Sequence, residues 1–241
     1  MKKTNIFLAI IAMVLALSFI GAPCSSGDNN KENVWPSPGG DSDGDADAAA
    51  DGDSDGDGDG GKIDGVPDGV NDFMDQSDLD GLKNAGMVVH IGNNPPDITG
   101  TYYADTRYTQ YDDQGYIQAF VNATYKFYNQ TSDGLVDMQQ TEEGVAEGTG
   151  IGSFISGESD CFTVWQDYKD HSTYNGDDCY SNSAVLVSGC LTTEGITEFQ
   201  YGLIMKSRSG TCNYVVAEGY KRIIYETDGL VARTTSTDAG N

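Results

Sequence analysis

"IQAFVNATYKF", Ile117 to Phe127, is the stretch on which the reading of the chain turns. Ile117, Ala119, Val121, Ala123, Tyr125 and Phe127 fall on one side of it, and Gln118, Asn122, Thr124 and Lys126 on the other. Successive side chains of a strand point to opposite faces. A two-residue alternation therefore describes a strand with one face on a core and one in water. "FQYGLIMK", Phe199 to Lys206, repeats the pattern, with Phe199, Tyr201, Leu203 and Met205 set against Gln200, Gly202 and Lys206. From Gly81 onward, aromatic and β-branched residues are frequent, helical spacing is scarce and no proline follows Pro96. The pattern predicts eight strands, at 99–108, 115–128, 134–142, 149–157, 161–168, 183–192, 196–206 and 213–226. Connections such as "QTSDG", "TTEG" and "RSGTC" are short enough to join neighbours directly. The expected fold is all-β, an antiparallel up-and-down barrel of about eight strands over 81–241, because closure removes exposed edges; a β-sandwich is the alternative.

The same meander sets the cysteine pairing. There are five cysteines, Cys24, Cys161, Cys179, Cys190 and Cys212. If strand 161–168 runs down and 183–192 returns beside it, with Tyr168 opposite Ser183, then Cys161 lies opposite Cys190. Cys179 and Cys212 both fall at the other end. Cys161–Cys190 and Cys179–Cys212 is the pairing, of three, that twice joins cysteines at one end.

The N-terminus explains the odd cysteine. Lys2 and Lys3 precede an apolar run from Ile6 to Ile20, broken only by Ser18. A basic flank and a run too short to span a bilayer comfortably read as a secretion signal over 1–23. "IGAPC", Ile20 to Cys24, resembles the cleavage box of bacterial lipoproteins, which implies that Cys24 carries acyl chains such as palmitate. Four cysteines then remain for disulfides, which an exported protein can form. Ser25 after the lipidated cysteine is unlike an inner-membrane retention signal, so the resemblance implies an envelope protein held at the outer membrane by its lipid.

Charge is lopsided: 13 basic against 38 acidic residues, with 17 acidic and 2 basic between Asp28 and Asp80. No basic patch exists to neutralise phosphates, so nucleic acid is excluded as a partner. Residues 24–80 are mostly Asp, Gly, Ala and Ser and offer little apolar area to offset their conformational entropy. They read as a disordered acidic linker. Within it, "DSDGDGDGGKIDGVPDGVND", Asp53 to Asp72, has at Asp53, Asp55, Asp57 and Asp64 the acidic spacing of an EF-type loop, and the continuation resembles one thrombospondin type 3 calcium repeat, with Asp55, Asp57, Asp59, Asp64, Asp68, Asp72 and Asp75 at the matching kinds of position. Two readings stand: a weak Ca²⁺ site of alternating hard oxygens, or a solvated spacer that holds no cofactor.

"ITGTYY", Ile98 to Tyr103, is similar to the first strand of avidin-like and lipocalin-like barrels, the calycin group, where Gly and an aromatic plug the closed end. Gly100 and Tyr102 or Tyr103 would take those places. With "GSFISGESDCFTVW" and "SGCLTTEGI", the stretch also resembles a poorly characterised group of bacterial surface lipoproteins. No nucleophile elbow, phosphate loop or metal-spaced histidine pair occurs, so the expectation is a non-enzymatic protein. Fourteen tyrosines point to binding by stacking in a barrel mouth. Tyr103, Tyr108, Trp165, Tyr201 and Arg222 are the candidate ligand-binding residues, for a small or carbohydrate ligand. The alternative is a structural or adhesive surface protein whose barrel face meets another macromolecule, and a filled interior would favour it.

Overall fold

The computed structural model describes residues 61–234. The expected signal peptide, Cys24 and the linker as far as Asp59 lie outside the described residues. Eleven strands are present: β1 (Asn93–Asn94), β2 (Gly100–Ala104), β3 (Arg107–Asp112), β4 (Ala123–Tyr128), β5 (Leu135–Glu142), β6 (Ala146–Glu158), β7 (Cys161–Ser172), β8 (Asp178–Leu191), β9 (Gly195–Thr211), β10 (Lys221–Glu226) and β11 (Leu230–Thr234). One α-helix, α1 (Gln76–Asn84), precedes them.

The strands close into the antiparallel barrel that the alternation predicts. β2, β4, β5, β6, β7, β8, β9 and β11 each pair with the next, and β11 pairs back onto β2. β10 and β3 continue this ring. β10 and then β11 run antiparallel to β9, at Tyr225 opposite Gln200 and Leu230 opposite Thr197. They act as two halves of one pass, as β2 and β3 do along the facing edge. β1 adds a short parallel pairing to β6 from outside the ring.

The alternation holds for part of the deciding stretch. Ala123, Tyr125 and Phe127 are buried, but Ile117 and Val121 are 61% and 38% exposed. Regular strand begins at Ala123 instead of 115. The phase slips between Phe120 and Ala123, so Phe120 turns to the interior and packs on the core. The 118–120 segment still pairs loosely with β3, through Tyr108 opposite Ala119 and the Phe120 N–H on the Arg107 carbonyl.

Both disulfides form as the register predicts. Cys161 faces Cys190 directly across β7 and β8, in the register that sets Tyr168 opposite Ser183. Cys179 joins Cys212 just past the end of β9.

The expected start of the folded part at Gly81 moves earlier. Residues from Ile63 onward pack on the outside of the barrel. Ile63, Val70, Met74, Leu79, Leu82 and Met87 bury against Trp165, Ala184, Leu186, Ile204 and Ile223, which point outward from β7, β8, β9 and β10. Those strands are therefore covered on both faces rather than half-buried. Asp75 caps α1: its carboxylate accepts from the Asp78 N–H at 2.8 Å, while the Asp78 side chain accepts from the Asp75 N–H. Leu79 and Leu82 then fall one turn apart on the buried face. Each such side chain contributes about 1.5–3 kcal/mol on burial. Gly202 makes room for this layer, since a Cβ there would stand 2.9 Å from the Met87 sulfur.

Candidate functional site

The barrel interior is layered along β7. Its even-numbered residues point inward, in the order Phe162, Val164, Gln166, Tyr168 and Asp170. The first two belong to an apolar plug with Ile98, Tyr102, Phe127, Val136, Ile196 and Val231. Tyr102 is fully buried, donates to the Ile98 carbonyl at 2.9 Å and meets Phe127 edge-on. Gly100 is the neighbour that its ring requires, a Cβ there lying 3.3 Å from the Tyr102 ring.

Above the plug the interior turns polar. Arg107, Tyr125, Gln140, Gln166 and Tyr168 are all at least nine-tenths buried. The Arg107 guanidinium donates to Glu142 at 2.6 Å and to the Val121 carbonyl at 3.0 Å, and the Gln140 amide donates to Glu142 at 3.1 Å. Other atoms of this belt have no hydrogen-bond partner among the described residues: Arg107 Nε, the Tyr125 and Tyr168 hydroxyls, Gln140 Oε1 and both amide atoms of Gln166. Small residues on β6 leave the space these groups occupy. A Cβ on Gly148 would run into the Tyr168 hydroxyl at 2.1 Å, and one on Gly150 would crowd the Gln166 amide at 2.8 Å.

A cavity of about 330 Å³ lies at this end and opens to solvent. Gln140, Glu142, Tyr168, Asp170, Tyr201 and Arg222 line its depth, with Phe120, Leu203 and Met205 as apolar wall. Burial pushes the Asp170 carboxyl up to about 7, and the nearby Glu142 carboxylate adds to the effect. Burial also raises the Tyr168 and Tyr201 hydroxyls, which stay protonated as donors.

Two loops roof the mouth. A tight turn between β7 and β8 offers Tyr174, with Asn175 at φ 51°, a left-handed conformation that asparagine tolerates. The segment after β9 offers Tyr214, Val215 and Val216. It is tied down by Cys179–Cys212, by Asn213 and the Tyr214 N–H donating to the buried Asp177 at 2.9 and 3.0 Å, and by Arg208 donating to the Cys212 and Val215 carbonyls. The Tyr174 and Tyr214 rings meet edge-on at 5.1 Å.

Of the sequence candidates, Tyr201 and Arg222 line this cavity. The other three do not. Tyr103 points outward, bonded to Glu143 and Asn122. Tyr108 lies between the inward Arg107 and Thr109 and so points outward too. Trp165 is fully buried, but in the outer layer, where its indole N–H donates to Ser156 at 2.8 Å. The lining residues the candidates omit include Gln140, Tyr168 and Asp170, with Arg107 and Gln166 buried beside them. For those on β7 the signal was an inward strand face that turns from Phe162 and Val164 to Gln166, Tyr168 and Asp170.

The acidic candidates of the linker reach the described residues only at their end. Asp64, Asp68 and Asp72 are exposed, and Asp68 pairs with Lys62 at 2.7 Å. None of the three joins a converging group of carboxylates among the described residues. Asp53, Asp55, Asp57 and Asp59 lie outside them. Compared with known proteins, the chain matches no family model, no curated protein and no solved structure.

Proposed function

We propose that this is a non-enzymatic binding protein of the bacterial envelope, tethered through a lipid on Cys24, that takes one small ligand into the open mouth of its barrel. One observation carries the reading: a solvent-reached cavity is lined by two buried polar side chains, Gln140 and Tyr168, whose Oε1 and hydroxyl meet no partner among the described residues, with the polar Arg107, Tyr125 and Gln166 packed in the same belt. A buried polar group without a partner costs about 1–3 kcal/mol. A core built only for stability would replace several of them with apolar residues. A ligand with donors and acceptors of its own would satisfy them. At about 330 Å³, the cavity sits at the lower end of the roughly 300–1,000 Å³ typical of small-molecule pockets. A sugar or another compact polar molecule fits, and a long acyl chain does not, because the apolar plug fills the far half.

The packed far half is the observation that favours the alternative of an adhesive surface protein. The two readings part at the mouth. A fragment library screened by NMR would decide between them. Under the binding reading, hits shift Tyr168, Tyr201 and Tyr214, and the shifts vanish in Ser181→Trp, which fills the mouth. A library that leaves those residues unmoved would remove the reading. Incorporation of labelled fatty acid, lost in Cys24→Ala, tests the tether. Discrete calcium increments in native mass spectrometry, lost in Asp57→Ala, test the linker as a metal site.

A further inference from the structure

The charges of the mouth say what kind of ligand it takes, an inference that rests on the reading of the mouth as a ligand site. One guanidinium group, Arg222, lines it and another, Arg107, lies buried behind Glu142, and each has its own carboxylate. Arg107 sits 2.6 Å from Glu142, and Arg222 sits 2.5 Å from Asp112. Asp170 is the third carboxylate, and among the described residues no Lys or Arg lies within 4.0 Å of it. The neighbouring His171 turns its ring away to Asp178, at 2.8 Å, and stacks on Tyr180. An ionised Asp170 therefore leaves one negative charge unmatched in a partly dehydrated cavity.

The walls around that charge are aromatic. Tyr168 precedes it on the inward face of β7, Tyr201 comes from β9, and Tyr174 and Tyr214 line the cavity mouth from the loops. Ring faces attract cations, by about 0.5–1 kcal/mol at exposed sites and about 2 or more where water is excluded. A calcium ion is a poor match. It takes 6–8 oxygens. Here Glu142 is engaged by Arg107 and Gln140, and among the described residues no third carboxylate converges with it and Asp170. An anion would meet guanidinium groups already neutralised. We infer that the mouth selects a small organic cation, an ammonium head on a compact body, with Asp170 as its counter-ion and tyrosine rings as its walls.

The groups facing Asp170 set the pH dependence. Burial and then Glu142 on β5 oppose its ionisation, the His171 backbone N–H and the His171 charge favour it, and Tyr168 and Tyr201 remain neutral donors. Cation affinity should therefore rise with pH through the neutral range, about tenfold from pH 6 to pH 8 for a single group titrating midway.

The test is an NMR titration of the whole exported chain with choline and cadaverine. Methyl glucoside and 3,3-dimethylbutan-1-ol, the uncharged shape-mate of choline, serve as neutral probes. At least one cation should shift the Tyr168 and Tyr201 resonances. It should bind at least tenfold more tightly than the neutral probes, and lose at least tenfold in Asp170→Asn, whose fold is checked by its amide spectrum. If neutral probes bind as well as cations, or Asp170→Asn leaves cation binding unchanged, the inference is overturned while the mouth stands as a ligand site. If no cation and no neutral probe shifts those residues, both are overturned.

Discussion

At the closed end of the barrel, Tyr102, Phe127, Phe162, Ile196 and Val231 fill the lumen with apolar contact, and the one hydroxyl among them is bonded to Ile98. A few residues further along the same strands, Arg107, Gln140, Gln166 and Tyr168 occupy equally buried places with polar atoms left over. The backbone of the two ends is alike; the side chains answer different demands. One end is built so that every group is satisfied within the chain. The other withholds partners, opens a cavity and roofs it with loops tied by a disulfide and a buried carboxylate.

Truncation should separate the ends most sharply. Phe162→Ala removes a fully buried ring from the plug and should cost about 3–5 kcal/mol, read by denaturant unfolding. Next comes the roof. Replacing Cys179 and Cys212 together by serine should lower stability by about 2–4 kcal/mol. It should also raise hydrogen exchange at Tyr214 to Val216, whereas the paired loss of Cys161 and Cys190 should leave that segment quiet.

Asp170 gives a smaller and pH-specific effect. Burial pushes its carboxyl up to about 7, from the usual 3.8, so the folded state holds the proton more tightly. Stability from this group is therefore greatest below about pH 4. It falls as pH rises toward 7, by roughly 2 kcal/mol once solvent screening is allowed for. Asp170→Asn should flatten that part of the stability-against-pH curve. The smallest effect is expected for Gln166→Leu. This fully buried amide has no partner to lose among the described residues, so stability should hold or rise by up to about 1 kcal/mol. A large loss of stability in that variant would mean that the polar belt is structural and that the contrast between the ends is misread.

The barrel and its disulfides were legible in the sequence because strand alternation and hairpin register are local. Once Tyr168 faces Ser183, the cysteines follow. The side of each strand that faces inward was harder to read. On β7 both faces are apolar, since Trp165 buries outward under the layer that starts at Ile63, and alternation alone cannot say which face is the lumen. For the same reason all five aromatic and arginine candidates were read into the mouth, though only Tyr201 and Arg222 line it. The outer layer itself escaped notice because its anchors, Ile63, Val70, Met74 and Leu79, are sparse among Asp and Gly. The Asp75 and Asp78 pair that caps α1 sits in text that reads equally well as a calcium repeat.

The most direct measurement is native mass spectrometry of the chain from Ser25 onward, purified gently and compared with Ser181→Trp. A discrete organic mass retained by the natural protein and absent from the filled-mouth variant is the expected result. A bare protein mass for both, with cavity residues unmoved by any added small molecule, would contradict a ligand site in the mouth and leave a packed barrel on an acidic tether.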